Sequence, residues 1–228
     1  MQIHGLQKMT LLDFPGKVAC TVFLGGCNFR CPFCHNGELL DGRFPPLMED
    51  EELLAFLKKR QGLLDGVCIT GGEPLLRPEL TDLLSRIKDL GYAVKLDTNG
   101  SFPAALSDII DRGLADYVAM DIKNSPQRYS ETAGRVVDLT AVKESVSLLL
   151  EGKIDYEFRT TVVAQLHDEE SFHGIGQWIG GARRYFLQCY THRDTVLRSG
   201  LSAPTEQQLM EYADIARKYI QDVGLRGI

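Results

Sequence analysis

Three cysteines lie close together near the N-terminus of the chain, at Cys27, Cys31 and Cys34. This spacing brings three thiols into one short loop, where they could bind one metal centre. An iron-sulfur cluster normally takes four cysteine ligands, so a cluster held by three would keep one iron open for chemistry. His35 follows directly and could instead complete a structural zinc site. From this motif alone, zinc and an iron-sulfur cluster are equally good interpretations.

A glycine-rich turn is the second group of residues that could take part in chemistry. Gly71 and Gly72 let the backbone approach a ligand closely, and Glu73 adds a carboxylate. An ordinary turn between a strand and a helix has the same glycine pattern. The turn alone therefore leaves both interpretations open.

Charged and polar residues stand at the ends of two further strand-like segments and within a third. The run Asp97-Thr98-Asn99 ends one of them, and Asp121 with Lys123 ends the next. Residues two apart on a strand share a face, and charges inside a strand are costly unless they are paired or functional. Arg159 lies in a later strand-like segment and could be either a structural ion-pair partner or a ligand contact.

Short apolar segments that alternate with helical patterns must position these groups. The predicted strands are Val18–Leu24, Gly66–Thr70, Ala93–Asp97, Tyr117–Asp121, Tyr156–Val163 and Arg184–Leu187. The predicted helices are Glu49–Arg60, Pro78–Leu90, Pro103–Arg112, Leu139–Leu150, Asp168–Ile179 and one that starts at Thr205, where Gln208 completes a capping box.

Six strand-helix units predict an α/β fold with right-handed crossovers and parallel strands. Because eight units are needed to close a barrel, we expect a partial (β/α)6 TIM-like barrel, with a flat doubly wound sheet as the alternative. No linker-like run divides the chain, so residues 1–228 are expected to form a single domain.

The order of the motifs along the chain indicates a shared site. In parallel barrels the ligand site lies at the carboxyl ends of the strands. The cysteine loop and the three polar groups each follow a different strand, so they are expected to meet at one rim. Gln188 follows the sixth predicted strand and could reach the same rim.

Composition limits the classes of partner. The 228 residues carry a formal net charge of -6, which gives no electrostatic footprint for nucleic acid or an anionic membrane. No stretch approaches the ~20 apolar residues of a membrane span, and the N-terminus lacks a signal-peptide pattern, so we expect a cytoplasmic protein. Cys20, Cys68 and Cys189 stand alone in apolar segments and are predicted to be buried thiols.

The combined motifs resemble the radical S-adenosylmethionine (SAM) superfamily, whose signature is a Cys-x3-Cys-x2-Cys loop after the first strand and a Gly-Gly-Glu-Pro turn after the second. Within it, four runs resemble activating proteins of anaerobic ribonucleoside-triphosphate reductase: Thr10–Lys17, Cys31–Leu40, Lys95–Gly100 and Ala119–Lys123. The resemblance covers residues 10–163 and thins from His167 onward.

The resemblance implies a [4Fe-4S] cluster on Cys27, Cys31 and Cys34, with the open iron chelated by SAM. One electron, from a flavodoxin- or ferredoxin-type donor, would cleave SAM to methionine and a 5'-deoxyadenosyl radical. That radical would take a hydrogen atom from a glycine of a partner glycyl-radical enzyme. The isolated positions of the other cysteines indicate one cluster per chain.

The resemblance also implies roles for the rim residues. Gly71, Gly72 and Glu73 would hold the methionine amino end of SAM, and Lys123 would approach its carboxylate. The remaining SAM-contacting set is Asp97, Thr98, Asn99, Asp121 and Arg159, with Gln188 near the adenosine. Asp97, Thr98 and Asp121, with the Ala119 carbonyl, match a place where related activases hold a monovalent cation, and oxygen ligands suit such an ion.

Three alternatives stay open at this point. The partner could be a pyruvate formate-lyase-type enzyme. The chain could instead be a radical SAM enzyme that acts on a small molecule, as 7-carboxy-7-deazaguanine synthase does. A non-catalytic iron-sulfur or zinc protein that serves as a carrier or sensor is also possible, although it would leave the polar rim without a purpose.

Overall fold

A mostly parallel eight-stranded β-sheet forms the centre of the fold. The computed structural model describes residues 1–40 and 44–228. Its strands are β1 Gln2–Ile3, β2 Gly5–Thr10, β3 Ala19–Leu24, β4 Met48–Glu49, β5 Gly66–Gly71, β6 Ala93–Thr98, β7 Tyr117–Asp121, β8 Asp155–Val162, β9 Tyr185–Cys189 and β10 Val223–Arg226. Its helices are α1 Asp50–Lys58, α2 Leu80–Asp89, α3 Pro103–Asp111, α4 Tyr129–Ala133, α5 Leu139–Leu150, α6 Glu169–Trp178 and α7 Glu206–Arg217.

The strands cross the sheet almost in chain order. The order is β10-β9-β8-β7-β6-β5-β3-β2, with β2 antiparallel to β3 and parallel pairing from β3 to β10. Each helical crossover therefore moves the chain in the same direction across the sheet, whereas a doubly wound sheet reverses at a switch point. The predicted partial-barrel winding is confirmed, and the doubly wound alternative does not fit.

The two faces of the sheet differ in chemistry because side chains alternate along each strand. On β6, Val94 and Leu96 are fully buried and belong to the same apolar cluster as Leu83 and Ile87 of α2. Lys95 and Asp97 of the same strand point to the opposite face. The apolar face of the sheet packs against helices, and the polar face is available for a binding site.

The helix boundaries follow the local capping chemistry. The helix α5 spans the residues predicted for it, and the Asp138 side chain accepts a hydrogen bond from Thr140 N at its start. The capping box between Thr205 and Gln208 at the start of α7 is present. Helix α2 starts at Leu80 rather than at the predicted Pro78, after a 3-10 turn over Pro74–Leu76.

Four of the strands in the described residues were not predicted from the sequence. The edge strand β2 has only one buried residue, and β10 is four residues long, so neither has a clear apolar alternation. The strands β1 and β4 are two-residue segments that pair with each other. All four are defined by their pairing with another strand rather than by a local sequence pattern. No helix among the described residues is long and apolar enough to cross a membrane.

Candidate active site

A cavity of about 450 Å³ lies at the carboxyl ends of the parallel strands. Nearly all of the predicted site residues line it. They are Cys27, Cys31, Cys34, Gly71, Gly72, Asp97, Thr98, Asn99, Asp121, Lys123, Arg159 and Gln188. Glu73 is not among the lining residues. Gln188 lies within β9, which extends to Cys189, rather than after the strand as predicted.

The cysteine loop presents three free thiols to this cavity. Cys31 is buried, and Cys27 and Cys34 are half-buried. The Phe29 N–H donates to Cys27 Sγ at 3.3 Å, and Cys34 N donates to the Cys31 carbonyl at 3.0 Å, which makes a tight turn. Burial raises the pKa of all three thiols, to about 12 for Cys31. Metal binding at this loop must therefore release protons.

Aromatic side chains between the cysteines make the loop apolar. Phe29 is 3% exposed and Phe33 is 6% exposed, and both belong to the main apolar cluster. The ring of Phe29 meets the ring of Tyr129 edge-on, with centroids 6.4 Å apart. These rings limit the access of water to the side of the thiols that faces away from the cavity.

The glycine turn packs directly against the start of the cysteine loop. A Cβ atom on Gly72 would lie 1.9 Å from the carbonyl oxygen of Gly26, and one on Gly71 would lie 2.3 Å from the Leu24 oxygen. Gly71 also has a φ of +118°, which disfavours a larger residue. The Glu73 N–H donates to the Gly26 carbonyl at 2.9 Å. The close approach fixes the glycine turn relative to the cysteines.

Glu73 lies beneath the cavity lining and is fully buried. One carboxylate oxygen accepts from Leu75 N at 3.0 Å and from the Thr98 hydroxyl at 2.8 Å. The other accepts from Asn99 N at 2.6 Å. Burial raises the pKa of Glu73 to about 7. The carboxylate thus connects the glycine turn to the turn Asp97-Thr98-Asn99, whereas the resemblance implied that it would help to hold the amino end of SAM.

Five charged residues form a continuous chain along one side of the site, which we call the charge ladder. Its members, in order of contact, are Lys95, Asp97, Arg159, Asp121 and Lys123. Arg159 bridges the two carboxylates, with distances of 3.1 Å to Asp97 Oδ2 and 2.5 Å to Asp121 Oδ1. Lys123 Nζ lies 2.8 Å from Asp121 Oδ2, and Lys95 Nζ pairs with Asp97 Oδ1.

The ladder keeps its carboxylates ionised despite their burial. Burial acts to raise the pKa of Asp97, but Arg159 and Lys95 hold it below its usual value. The same opposition applies to Asp121, whose pKa is lowered by Arg159 and Lys123. Burial acts to lower the pKa of Lys123, and the Asp121 carboxylate outweighs it and raises that pKa. Three cations and two anions give the ladder a net charge of +1.

Lys95 was not among the site residues predicted from the sequence. Its side chain is almost fully buried and contacts both Asp97 and the thiol of Cys68, at 3.8 Å from the sulfur. A signal was present in the sequence. Lys95 precedes Asp97 by two residues in a strand, the same spacing that drew attention to Asp121 and Lys123.

Two other missed residues hold the entrance of the cysteine loop. Arg77 donates to the Gly25 carbonyl from Nε at 3.2 Å and from a terminal nitrogen at 2.7 Å. His4 Nδ1 accepts from Gly25 N at 3.0 Å. Neither residue has a spacing that points to the cysteines, because both reach Gly25 from distant segments.

The imidazole of His167 supports the backbone beside Lys123. His167 is 3% exposed, and its Nδ1 accepts from Val163 N at 3.1 Å. With Nδ1 acting as acceptor, Nε2 carries the proton and donates to the Lys123 carbonyl at 2.9 Å. Burial lowers the pKa of His167. The neutral ring thus ties the end of β7 to the segment after β8.

The segment after β9 lies against the cysteine loop. Arg198 N donates to the Pro32 carbonyl at 3.0 Å, and the Thr195 hydroxyl donates to the His35 carbonyl at 2.9 Å. The His35 Nε2 lies 2.7 Å from the Thr191 carbonyl, which makes His35 a loop contact here. Arg193 of the same segment lines the cavity. The C-terminal part of the chain therefore helps to cover the thiols.

Comparison with known proteins identifies a family for this arrangement. Residues 21–175 match the radical SAM superfamily. A protein of Methanocaldococcus jannaschii, provisionally named a glycyl-radical enzyme activating enzyme, is 30% identical over 235 aligned positions, which cover 99% of this chain and 96% of that protein. The pyruvate formate-lyase-activating enzyme of Clostridium pasteurianum is 35% identical over 128 positions, covering 54% of this chain and 52% of that protein.

Solved structures support the same fold. The crystal structure of Streptococcus suis SuiB bound to S-adenosylmethionine superposes with a TM-score of 0.70 over 91% of this chain and 52% of that chain. The sequence identity is 12%, so this likeness shows the fold alone.

Proposed function

Because the chain belongs to the radical SAM superfamily, we propose that it is a glycyl-radical activating enzyme that cleaves SAM reductively at a [4Fe-4S] cluster. The observation that carries this proposal is the shared cavity. Three thiols from one loop and a net positive charge ladder line the same space, so a metal cluster and a carboxylate-bearing ligand could lie side by side.

The donor set fits a cluster. Cys27, Cys31 and Cys34 supply three sulfur ligands, and sulfur donors suit iron-sulfur clusters. In the described part of the chain, no three His, Cys, Asp or Glu side chains surround the position of a single metal ion. Three ligands leave the fourth iron for SAM.

When bound, the reduced cluster would supply one electron for the cleavage of SAM, and the cleaved SAM would supply the means to take a hydrogen atom from the target glycine. The chain's own residues bind, orient and shield. Lys123 and Arg159 supply positive charge for the SAM carboxylate, and the backbone of Gly71 and Gly72 accommodates its amino end. Phe29 and Phe33 exclude water from the thiols.

Other parts of the rim complete the proposed SAM site. The carboxylates of Asp97 and Asp121 orient Arg159 and Lys123 toward the ligand. Thr98 holds the turn that carries it through its hydrogen bond to Glu73. Asn99 donates its side-chain amide to Asn28 Oδ1 at 2.9 Å and thereby joins the third rim turn to the cysteine loop. Gln188 lines the cavity and is proposed to face the adenosine end.

The proposed partner is an anaerobic ribonucleotide reductase, and the electron donor is a flavodoxin or ferredoxin. Support for this partner comes from the four sequence runs that resemble its activating proteins. The relative from Clostridium pasteurianum makes pyruvate formate-lyase the next candidate partner, although that match covers about half of each chain.

The test uses anaerobically reconstituted protein, dithionite and SAM, with and without a candidate reductase. We expect 5'-deoxyadenosine in every reaction that contains the cluster, and a glycyl-radical EPR doublet when the correct reductase is present. The Cys31→Ala variant is the control for both signals. Formation of 5'-deoxyadenosine without the doublet would reject the partner, and no 5'-deoxyadenosine from cluster-loaded protein would reject the activity.

A further inference from the structure

Every carboxylate oxygen of the charge ladder already has a cationic partner. Asp97 pairs through Oδ1 with Lys95 and through Oδ2 with Arg159. Asp121 pairs through Oδ1 with Arg159 and through Oδ2 with Lys123. These are two of the side chains that the family resemblance assigns to a monovalent cation.

The hydroxyl expected to be the third cation ligand is also engaged. Thr98 Oγ1 donates to Glu73 at 2.8 Å and accepts from Gly100 N at 3.1 Å. A hard cation needs several oxygen atoms with free lone pairs. Each of these carboxylate oxygen atoms keeps a second lone pair, but a cation that used it would lie beside the ammonium or guanidinium group already paired with that oxygen.

Electrostatics favours an anion at this position. The ladder carries +1, so a ligand carboxylate brings the local sum to zero, and an additional inorganic cation would return it to +1. Like charges a few ångströms apart repel strongly where water is scarce. Lys95 and Asp97 are 2% and 8% exposed, so solvent screening at this end of the ladder is weak.

The guanidinium of Arg159 has the shape needed to link the two acids. It is planar, always charged and presents donors in several directions, so one group can serve two carboxylates at once. In the structure it does so from β8, between Asp97 of β6 and Asp121 of β7. Lys95 neutralises the other oxygen of Asp97, Oδ1.

We propose that Arg159, together with Lys95, takes the place of an inorganic monovalent cation, so that this chain binds its ligand without potassium. The identity of the ligand as SAM rests on the proposed function. The arrangement of the protein's own charges does not, so the first test uses protein without cluster or SAM.

The first test compares thermal unfolding of the apoprotein in potassium chloride and in tetramethylammonium chloride at equal ionic strength. We expect the same Tm for the wild type. In Lys95→Met, Asp97 Oδ1 loses its partner, and we expect potassium to raise the Tm by stabilising the folded state that binds it.

The control is Lys88→Met, which removes a surface lysine that pairs with Asp116 at 2.8 Å, and potassium should leave its Tm unchanged. A potassium-dependent rise in the wild type would overturn the inference, and so would the lack of any rise in a folded Lys95→Met protein. The wild-type comparison decides the question if that variant does not fold.

The second test measures SAM binding to the reconstituted protein by calorimetry in the same two salts. We expect Kd values that agree within about twofold, and a loss of about tenfold without potassium would overturn the inference. If SAM binds in neither salt, the proposed function fails, while the apoprotein comparison still decides whether Arg159 and Lys95 replace the cation.

Discussion

The buried carboxylate of Glu73 accepts a hydrogen bond from the backbone N–H of Asn99 at 2.6 Å, across two neighbouring strand ends. The same carboxylate also accepts hydrogen bonds from the Thr98 hydroxyl and from Leu75 N. Glu73 therefore fixes the position of the glycine turn relative to the turn Asp97-Thr98-Asn99. Its effect on a ligand in the cavity is indirect.

Replacing this carboxylate by an amide should destabilise the protein. In Glu73→Gln, a side-chain NH2 group would face one of the donors, which leaves buried groups without acceptors. Such a loss costs about 1–3 kcal/mol in the free energy of unfolding. Urea unfolding of the apoprotein measures it, and Glu79→Gln at an exposed position is the control. Equal stability of Glu73→Gln and wild type below pH 7, where Glu73 keeps its pH-dependent contribution to stability, would contradict the assigned role.

Glu73 should also give a characteristic pH dependence. Its pKa rises from 4.5 to about 7 in the folded protein, so between these values the folded state binds a proton that the unfolded state has lost. Stability from this group is therefore present below pH 4.5 and falls as the pH rises through 7, by about 3 kcal/mol in total.

The difference between wild type and Glu73→Gln isolates this contribution. The wild type should lose stability relative to the variant as the pH increases across that window. Equilibrium unfolding at several pH values gives the comparison. A difference that stays constant, or that changes in the opposite direction, would show that folding does not raise the pKa of Glu73.

Most of the fold could be predicted from the sequence because its main strands and helices have local sequence patterns. Apolar segments such as Ala93–Asp97 alternate with helical patterns that carry their own caps, so six strand-helix units could be read in order. The strands β2 and β10 could not, because their residues become strands only through pairing with β3 and β9.

The site could be predicted from the sequence where its residues lie at the ends of strands. The rule that parallel strands share a rim placed Asp97 and Lys123 in one cavity, as observed. The rule does not say which way a side chain turns. It therefore could not reveal that Glu73 lies under the rim, or that Arg159 spans the two acids.

The third cysteine of the loop can be tested against an isolated one. In Cys34→Ala, the remaining two thiols are too few to hold the proposed cluster, so we expect reconstituted protein to lose its air-sensitive charge-transfer absorption and most of its bound iron. Cys189→Ala is the control, because Cys189 does not line the cavity. Retention of the absorption by Cys34→Ala would mean that another residue supplies the third ligand.

The contact between Gly72 and Gly26 gives the sharpest steric prediction. A methyl group at position 72 would lie 1.9 Å from the Gly26 carbonyl oxygen, and both partners are backbone that cannot rotate away. Gly72→Ala should therefore shift the cysteine loop and lower the free energy of unfolding by about 2 kcal/mol or more.

The same variant should bind less iron on reconstitution, since the shift separates the glycine turn from the loop that carries Cys27. Gly180→Ala is the matched control, because its added methyl group comes no closer than 3.3 Å to another atom and Gly180 lies outside the cavity lining. Iron content and urea unfolding check the pair of variants. Wild-type values of both quantities in Gly72→Ala would contradict the close approach on which the proposed cluster site depends.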